Sequence, residues 1–361
     1  MFRYTFAVCI ALFALIPVTA QEFVDDAILE EIVESYTTED GEGIVVFVDD
    51  NGETATAAYG LADIDNGIPI TTETAFRIGS VTKPMAAVVV LSLVEEGALS
   101  LDDPIADYLP TEVVQNVANA DEATVRQILQ MTSGIYNYTE SDAFDDATFG
   151  VPYSGWTAAE TVEFAYGEPA YFQTGEGYTY SNTNYNLAEM IIQEVSGEPF
   201  DVLLDEIIFQ PLDMTSCFLE TPDRFAEAIP RGYVFDGGVE DVTEDDDAYG
   251  LADGGVICNM EDLAKFPVGL AEGELIGEAL LDEMLTPVED GDGGLYGLGI
   301  DLSEWDFGPM ASHGGSTMGF NAYMVYLWEE GVVVTMGTNN FDADYTEDVV
   351  YDALLAVFGE Y

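Results

Sequence analysis

The sequence predicts a mixed α/β protein of the α+β type. One antiparallel sheet is assembled from N- and C-terminal segments, flanked by helices and interrupted by a large helical insertion. Three observations predict it. Strand-like runs lie near both ends of the chain, the stretch between them has apolar residues at helical spacing, and Asn51-Gly52 is a hairpin-closing dipeptide between the first two runs.

Residues 23–36 have the apolar spacing of a first helix. The runs 43–48 and 54–59 follow, joined by Asp49-Asp50-Asn51-Gly52. Helical patterns cover 83–96, 124–131, 157–165, 184–195 and 200–209, several of them after a Ser, Thr or Asn able to accept from first-turn N–H groups. Strands are predicted again over 296–302, 319–328 and 332–338, with Glu329-Glu330-Gly331 turning the last pair, and a closing helix over 345–358. Residues 21–361 are read as one catalytic unit, with a sheet subdomain about 21–85 and 255–361 and a helical subdomain about 86–254. Acidic loops at 140–146, 240–247 and 289–292 read as solvated surface, and Asp245–Asp247 lack the spacing of a calcium loop.

Residues 1–20 read as a signal peptide. Arg3 supplies the positive start, residues 6–18 the apolar stretch, and Val18-Thr19-Ala20 a small-residue cleavage site. The expected location is secreted or periplasmic, with cleavage near Ala20 and no stable membrane span afterwards. Export permits a disulfide between Cys217 and Cys258, although Cys258, in an apolar run, reads as a buried small hydrophobe.

Charge narrows the function. The 361 residues hold 70 acids against 7 bases, a net charge of −63, with 48 % hydrophobic residues to build a core. Nucleic acid and anionic membrane are excluded as partners, because both need clustered Lys or Arg. One His and three Cys cannot form the His-rich cluster of a zinc hydrolase. Lysine is nearly eliminated, with only Lys83 and Lys265 left, as in a protein working in high salt.

Ser80-Val81-Thr82-Lys83 opens a predicted helix. Three residues make nearly one turn, so the Ser80 hydroxyl and the Lys83 amine share a face. A serine needs a base to become a nucleophile, and a lysine serves only when burial or a helix N-terminus lowers its pKa. Tyr180-Ser181-Asn182 offers a phenol to relay a proton and an amide to orient substrate or lysine. The bland alternative is a core Tyr beside a helix-capping Asn. His313-Gly314-Gly315-Ser316 has three readings: a triad base, an oxyanion motif, or a small-residue strand edge whose N–H groups hold a carbonyl oxygen. The first two expect a Gly-x-Ser-x-Gly elbow, which is absent from the sequence.

Taken in order, Ser-x-x-Lys, Tyr-x-Asn and His-x-Gly resemble the class C β-lactamase and D-alanyl-D-alanine carboxypeptidase family of serine hydrolases. The resemblance extends to Phe76-Arg77-Ile78-Gly79, Leu101-Asp102-Asp103-Pro104, Tyr108-Leu109-Pro110, Thr132-Ser133-Gly134, Pro211-Leu212-Asp213-Met214 and Tyr296-Gly297-Leu298-Gly299, and so covers nearly the whole mature chain. It implies a β-lactamase/transpeptidase-like fold and an acyl-serine mechanism. Ser80 would be the nucleophile, Lys83 and Tyr180 the proton shuttle, and Asn182, His313 and Gly315 the substrate-binding residues. The backbone N–H groups of Ser80 and Ser316 would form the oxyanion hole. No metal or organic cofactor is implied. The expected partner is a peptide or small-molecule substrate, with D-Ala-D-Ala peptides foremost, β-lactams and esters as competitors, and a non-turnover penicillin sensor as the alternative outside catalysis. A monomer is expected. Two departures stand out. Met131 occupies a position where the family commonly has His, which implies altered packing. His313 replaces a Lys of classical class C β-lactamases, which weakens attraction for a substrate carboxylate.

Overall fold

The structure is a computed structural model that describes residues 24–361 apart from 154, 226–228, 236, 292 and 360. Residues 1–20, read above as a signal peptide, lie outside the described residues. Among these residues an eight-stranded antiparallel sheet forms the centre, in the order Val288–Glu289, Leu295–Tyr296, Asp301–Trp305, Gly308–Thr317, Phe320–Leu327, Val332–Thr338, Ile44–Asp50 and Glu53–Tyr59. The N-terminal hairpin therefore pairs with the last strand of the chain, Ile44 opposite Thr338 and Asp50 opposite Val332. Asn51 and Gly52 both take positive φ in its turn, as the dipeptide requires.

Both faces of the sheet are covered, which explains why Val332–Thr338 is buried at every position and reads as an unbroken apolar run. On one face the terminal helices Asp26–Tyr36 and Thr346–Val357 set Leu29, Ile32, Val350 and Leu354 against Val46, Val48, Val334 and Met336. On the other face Val45, Phe47 and Val333 join the core shared with the helical insertion. At its heart lies the helix Thr82–Glu95, with 11 of its 14 residues buried. A helix apolar on all sides belongs inside a protein, and here it lies between sheet and insertion.

Several elements differ from the sequence reading. The run 296–302 is two strands separated by a bend, and the run 200–209 begins as an α-helix and ends as a π-helix from Asp205 to Phe209. The acidic stretch 140–146 is not a plain loop, because Ser141 caps the helix Asp142–Thr148 through its hydroxyl. Cys258 is buried as read, and it is also joined to Cys217 by a disulfide. Antiparallel pairing of Phe218 with Ile257 brings the two cysteines opposite each other across 41 residues of sequence. Among the described residues no helix is long and apolar enough to cross a membrane.

Candidate active site

Ser80 sits on a tight turn between a short strand and the buried helix. The strand Ala75–Arg77 ends where Ile78 N–H donates to the Val256 carbonyl at 3.0 Å, and a single 3₁₀ turn, Gly79–Val81, leads into Thr82–Glu95. Gly79 has φ +52°, and a Cβ there would lie 2.7 Å from the Ser316 nitrogen. Opposite it, a Cβ on Gly315 would collide with the Ile78 carbonyl and lie 2.9 Å from the Ser80 nitrogen. The two glycines let the nucleophile turn and the strand Gly308–Thr317 touch backbone to backbone. The amides of Ser80 and Ser316 thereby flank one seam.

Lys83 is fully buried beneath Ser80. Its Nζ lies 2.9 Å from Ser80 Oγ and 2.7 Å from Asn182 Oδ1, and it also bonds the Asp253 carbonyl. Burial lowers its pKa from 10.5 to about 7, against an opposing pull from the Asp253 carboxylate. A neutral amine has two N–H donors and one lone pair. The Asn182 and Asp253 oxygens accept the two donors, which leaves the lone pair for the Ser80 hydroxyl.

Tyr180 is half-buried, its ring centroid 4.9 Å from Lys83 Nζ and its hydroxyl bonded to Ser80. Burial holds its pKa well above 10, so it rests as a neutral phenol. Asn182 starts the helix Asn182–Ser196, yet its side chain makes no capping bond; the carboxamide oxygen faces Lys83, its Nδ2 donates to Thr139 Oγ1 at 3.4 Å, and the backbone N–H of Asn182 donates to Asn137 Oδ1 at 2.9 Å. Of the two readings of this segment, the structure follows the one that orients lysine. Met131 braces the same corner, its buried sulfur accepting from Ser181 N and Asn184 Nδ2, both at 3.4 Å.

Of the three readings of the His313 segment, the structure has the small-residue strand edge, while the imidazole itself does not line the cleft. His313 belongs to the ten-residue strand Gly308–Thr317, whose outer neighbour reaches only to Asp301 opposite Ser312, so residues 313–317 form a local edge. The imidazole lies 3 % exposed behind the cleft wall. Its Nδ1 donates to the Gly314 carbonyl at 2.6 Å, and Nε2 therefore accepts from the Tyr296 hydroxyl at 3.2 Å. Burial, with Lys83 nearby, lowers its pKa to about 3, so it carries no charge at neutral pH. Neither His313 nor Gly315 lines the cleft of about 210 Å³, which Ser80, Thr139, Asn182, Asp247, Asp253 and Ser316 help to form.

A family model for beta-lactamase matches residues 27–357. The chain belongs to the beta-lactamase family of serine hydrolases. Among curated relatives, penicillin-binding protein 4* of Bacillus subtilis (strain 168) is 26 % identical over 328 residues, covering 84 % of this chain and 69 % of its own. A D-stereospecific amidohydrolase from Streptomyces sp. superposes with a TM-score of 0.80 at 28 % identity, covering 90 % of this chain and 97 % of the other. A D-amino acid amidase from Ochrobactrum anthropi SV3, complexed with L-phenylalanine amide, gives a TM-score of 0.78 at 27 % identity, covering 93 % and 96 %.

In this member of the beta-lactamase family, sequence reasoning missed the groups that hold the motifs in place. Asp253 accepts from Tyr138 Oη at 2.7 Å, and its loop is pinned where Ala252 N–H donates to the buried Glu189 at 2.9 Å. The Gly314 carbonyl sets the tautomer of His313, and Tyr296 donates to the free Nε2. Arg77 is clamped to Glu220 by two bonds of 2.7 and 3.0 Å, both side chains buried, three residues before the nucleophile. The acidic stretch 240–247 also proves to be more than solvated surface: Asp246 turns inward to accept from Trp156 Nε1, and Asp247 lines the cleft. The one usable signal was the small-residue run Ala252-Asp253-Gly254-Gly255 directly before an apolar strand.

Proposed function

We propose that this chain is an exported serine hydrolase that cleaves amide or peptide bonds on the carbonyl side of a D-amino acid, D-Ala-D-Ala-type peptides included, through an acyl-Ser80 intermediate. The observation that carries this reading is the buried Lys83 amine, 2.9 Å from Ser80 Oγ and also bonded to the Asn182 side-chain and Asp253 backbone oxygens. Preference for the D configuration is supported by the likeness to a D-stereospecific amidohydrolase and a D-amino acid amidase, which match nearly the whole chain. The signal-like residues 1–20 support export.

Lys83 takes the Ser80 proton as Oγ attacks the substrate carbonyl. The oxygen of the tetrahedral intermediate turns toward the Ser80 and Ser316 amides, where developing negative charge is met by fixed donors. The Lys83 ammonium then passes a proton through the Tyr180 hydroxyl to the departing amine, and the carbon–nitrogen bond breaks. Water enters from the cleft, loses a proton by the same route and releases the acid. Asn182 holds Lys83 in register throughout. A neutral His313 and carboxylates in the cleft disfavour substrates whose recognition depends on a carboxylate, which places β-lactams, and D-Ala-D-Ala peptides with their C-terminal carboxylate, behind simple D-amino acid amides.

Ser80→Ala is expected to abolish hydrolysis of D-phenylalanine amide, a D-Ala-D-Ala peptide and p-nitrophenyl acetate while leaving the thermal midpoint within a few degrees. Retained turnover would remove Ser80 from its role. Fast nitrocefin hydrolysis with no amide cleavage would overturn the substrate assignment.

A further inference from the structure

One carboxylate in the cleft has no part in the acyl-transfer steps. Asp247 shares the cleft with Ser80 and Asn182. Its Oδ2 accepts from the Met318 N–H at 2.9 Å, and among the described residues no other side chain or amide donates to it. Met318 lies two residues beyond Ser316, so the carboxylate is tied to the same strand end that flanks the nucleophile. The nearest cation, Arg77, is already satisfied. It donates to both oxygens of Glu220 and to the Thr243 carbonyl, and its guanidinium stacks 3.7 Å from the Tyr249 ring.

No Lys or Arg lines the cleft among the described residues, and Asp253 adds a second carboxylate to it. Asp253 is engaged by Tyr138 and faces Lys83. Asp247 is therefore a fixed acceptor facing substrate space; burial raises its pKa to about 7, and Arg77, already bonded to Glu220, favours its charged form only from a distance, without a hydrogen bond. A carboxylate so confined interacts best with a cationic ligand and repels an anionic one.

We propose that Asp247 binds the ammonium group of the acyl part of the substrate, so that the favoured acyl donors are amides and short peptides of D-amino acids with an unblocked amine next to the scissile carbonyl. This rests on the acyl-Ser80 reading above and narrows it to amine-bearing donors. N-acylated donors lose the contact. Donors with a carboxylate at that place meet repulsion.

The test uses p-nitrophenyl acetate turnover by the purified chain in molar KCl near pH 7.5, with D-phenylalanine amide or its N-acetyl derivative as competitor. In the wild type the free amine is expected to inhibit at a concentration at least tenfold lower than the N-acetyl form. In Asp247→Asn, which keeps a carbonyl oxygen for the Met318 N–H, that ratio is expected to fall to about one. An unchanged ratio in the variant overturns the proposal, because a purely structural role would weaken both competitors alike. A wild-type ratio at or below one overturns it without any variant. Ester turnover that survives Ser80→Ala refutes the acyl-serine reading itself, so the two failures are told apart.

Discussion

Lys83 makes its own titration readable in the rate. Its pKa falls from 10.5 to about 7 because the amine is wholly buried. At about 1.4 kcal/mol per pH unit, a proton on Lys83 is disfavoured in the fold by about 5 kcal/mol relative to the unfolded chain. The neutral base is then about one-tenth populated at pH 6 and about nine-tenths at pH 8, so kcat/KM for p-nitrophenyl acetate rises about tenfold across that interval. Stability must move with it. Between about 7 and 10.5 the unfolded chain holds a proton on Lys83 that the folded chain has released, so the slope of unfolding free energy with pH from this group is positive. Against Lys83→Met, wild type gains stability as pH rises through that window and shows no differential slope below it. The assay pairs a pH–rate profile from 5 to 9 with urea unfolding of both proteins from pH 6.5 to 9.5. A flat rate between pH 6 and 8, or a differential slope of the opposite sign, would refute the base assignment.

Gly315→Ala is expected to reduce kcat at least 100-fold, because its Cβ collides with the Ile78 carbonyl and pushes the Ser80 and Ser316 amides apart; steady-state kinetics beside a thermal melt checks it. Glu220→Ala strands the Arg77 guanidinium in the core and is expected to cost about 3–5 kcal/mol, read from urea unfolding. With a net charge of −63, both the thermal midpoint and kcat/KM are expected to rise with KCl toward 1 M, where the Debye length shrinks to about 3 Å; a flat or falling series counts against a high-salt setting.

What the sequence revealed and what it hid follow physical lines. Ser80 and Lys83 were legible as a pair because one helical turn encodes their meeting. The Lys83–Asn182 bond spans 99 residues, so the residues alone offered Asn182 as an amide for substrate or lysine with a helix-capping alternative beside it. Asp253 acts on Lys83 through its carbonyl, and a backbone group leaves no trace in residue identity. Asp247 was hidden by abundance, since in a chain of 70 acids one inward carboxylate looks like its solvated neighbours. The strand bearing His313 was missed in part because Gly314, Gly315 and small hydroxyl residues break the apolar alternation that marks strands. The N-terminal hairpin and the buried strand it pairs with, by contrast, announced themselves through Asn51-Gly52 and the valine run at 332–334.

The bare backbone contact at Gly79 and Gly315 means that the oxyanion pair is a property of a joint, belonging to neither the nucleophile turn nor the sheet edge alone. A parting of about 1 Å between those layers would leave every helix and strand intact, yet misalign the amides enough to cost about 100-fold in rate. Catalysis is thus a finer gauge of how tightly the two halves are closed than any measure of secondary structure. In a chain whose own charge pushes those halves apart, salt could silence or restore the enzyme well inside the range where the protein remains folded.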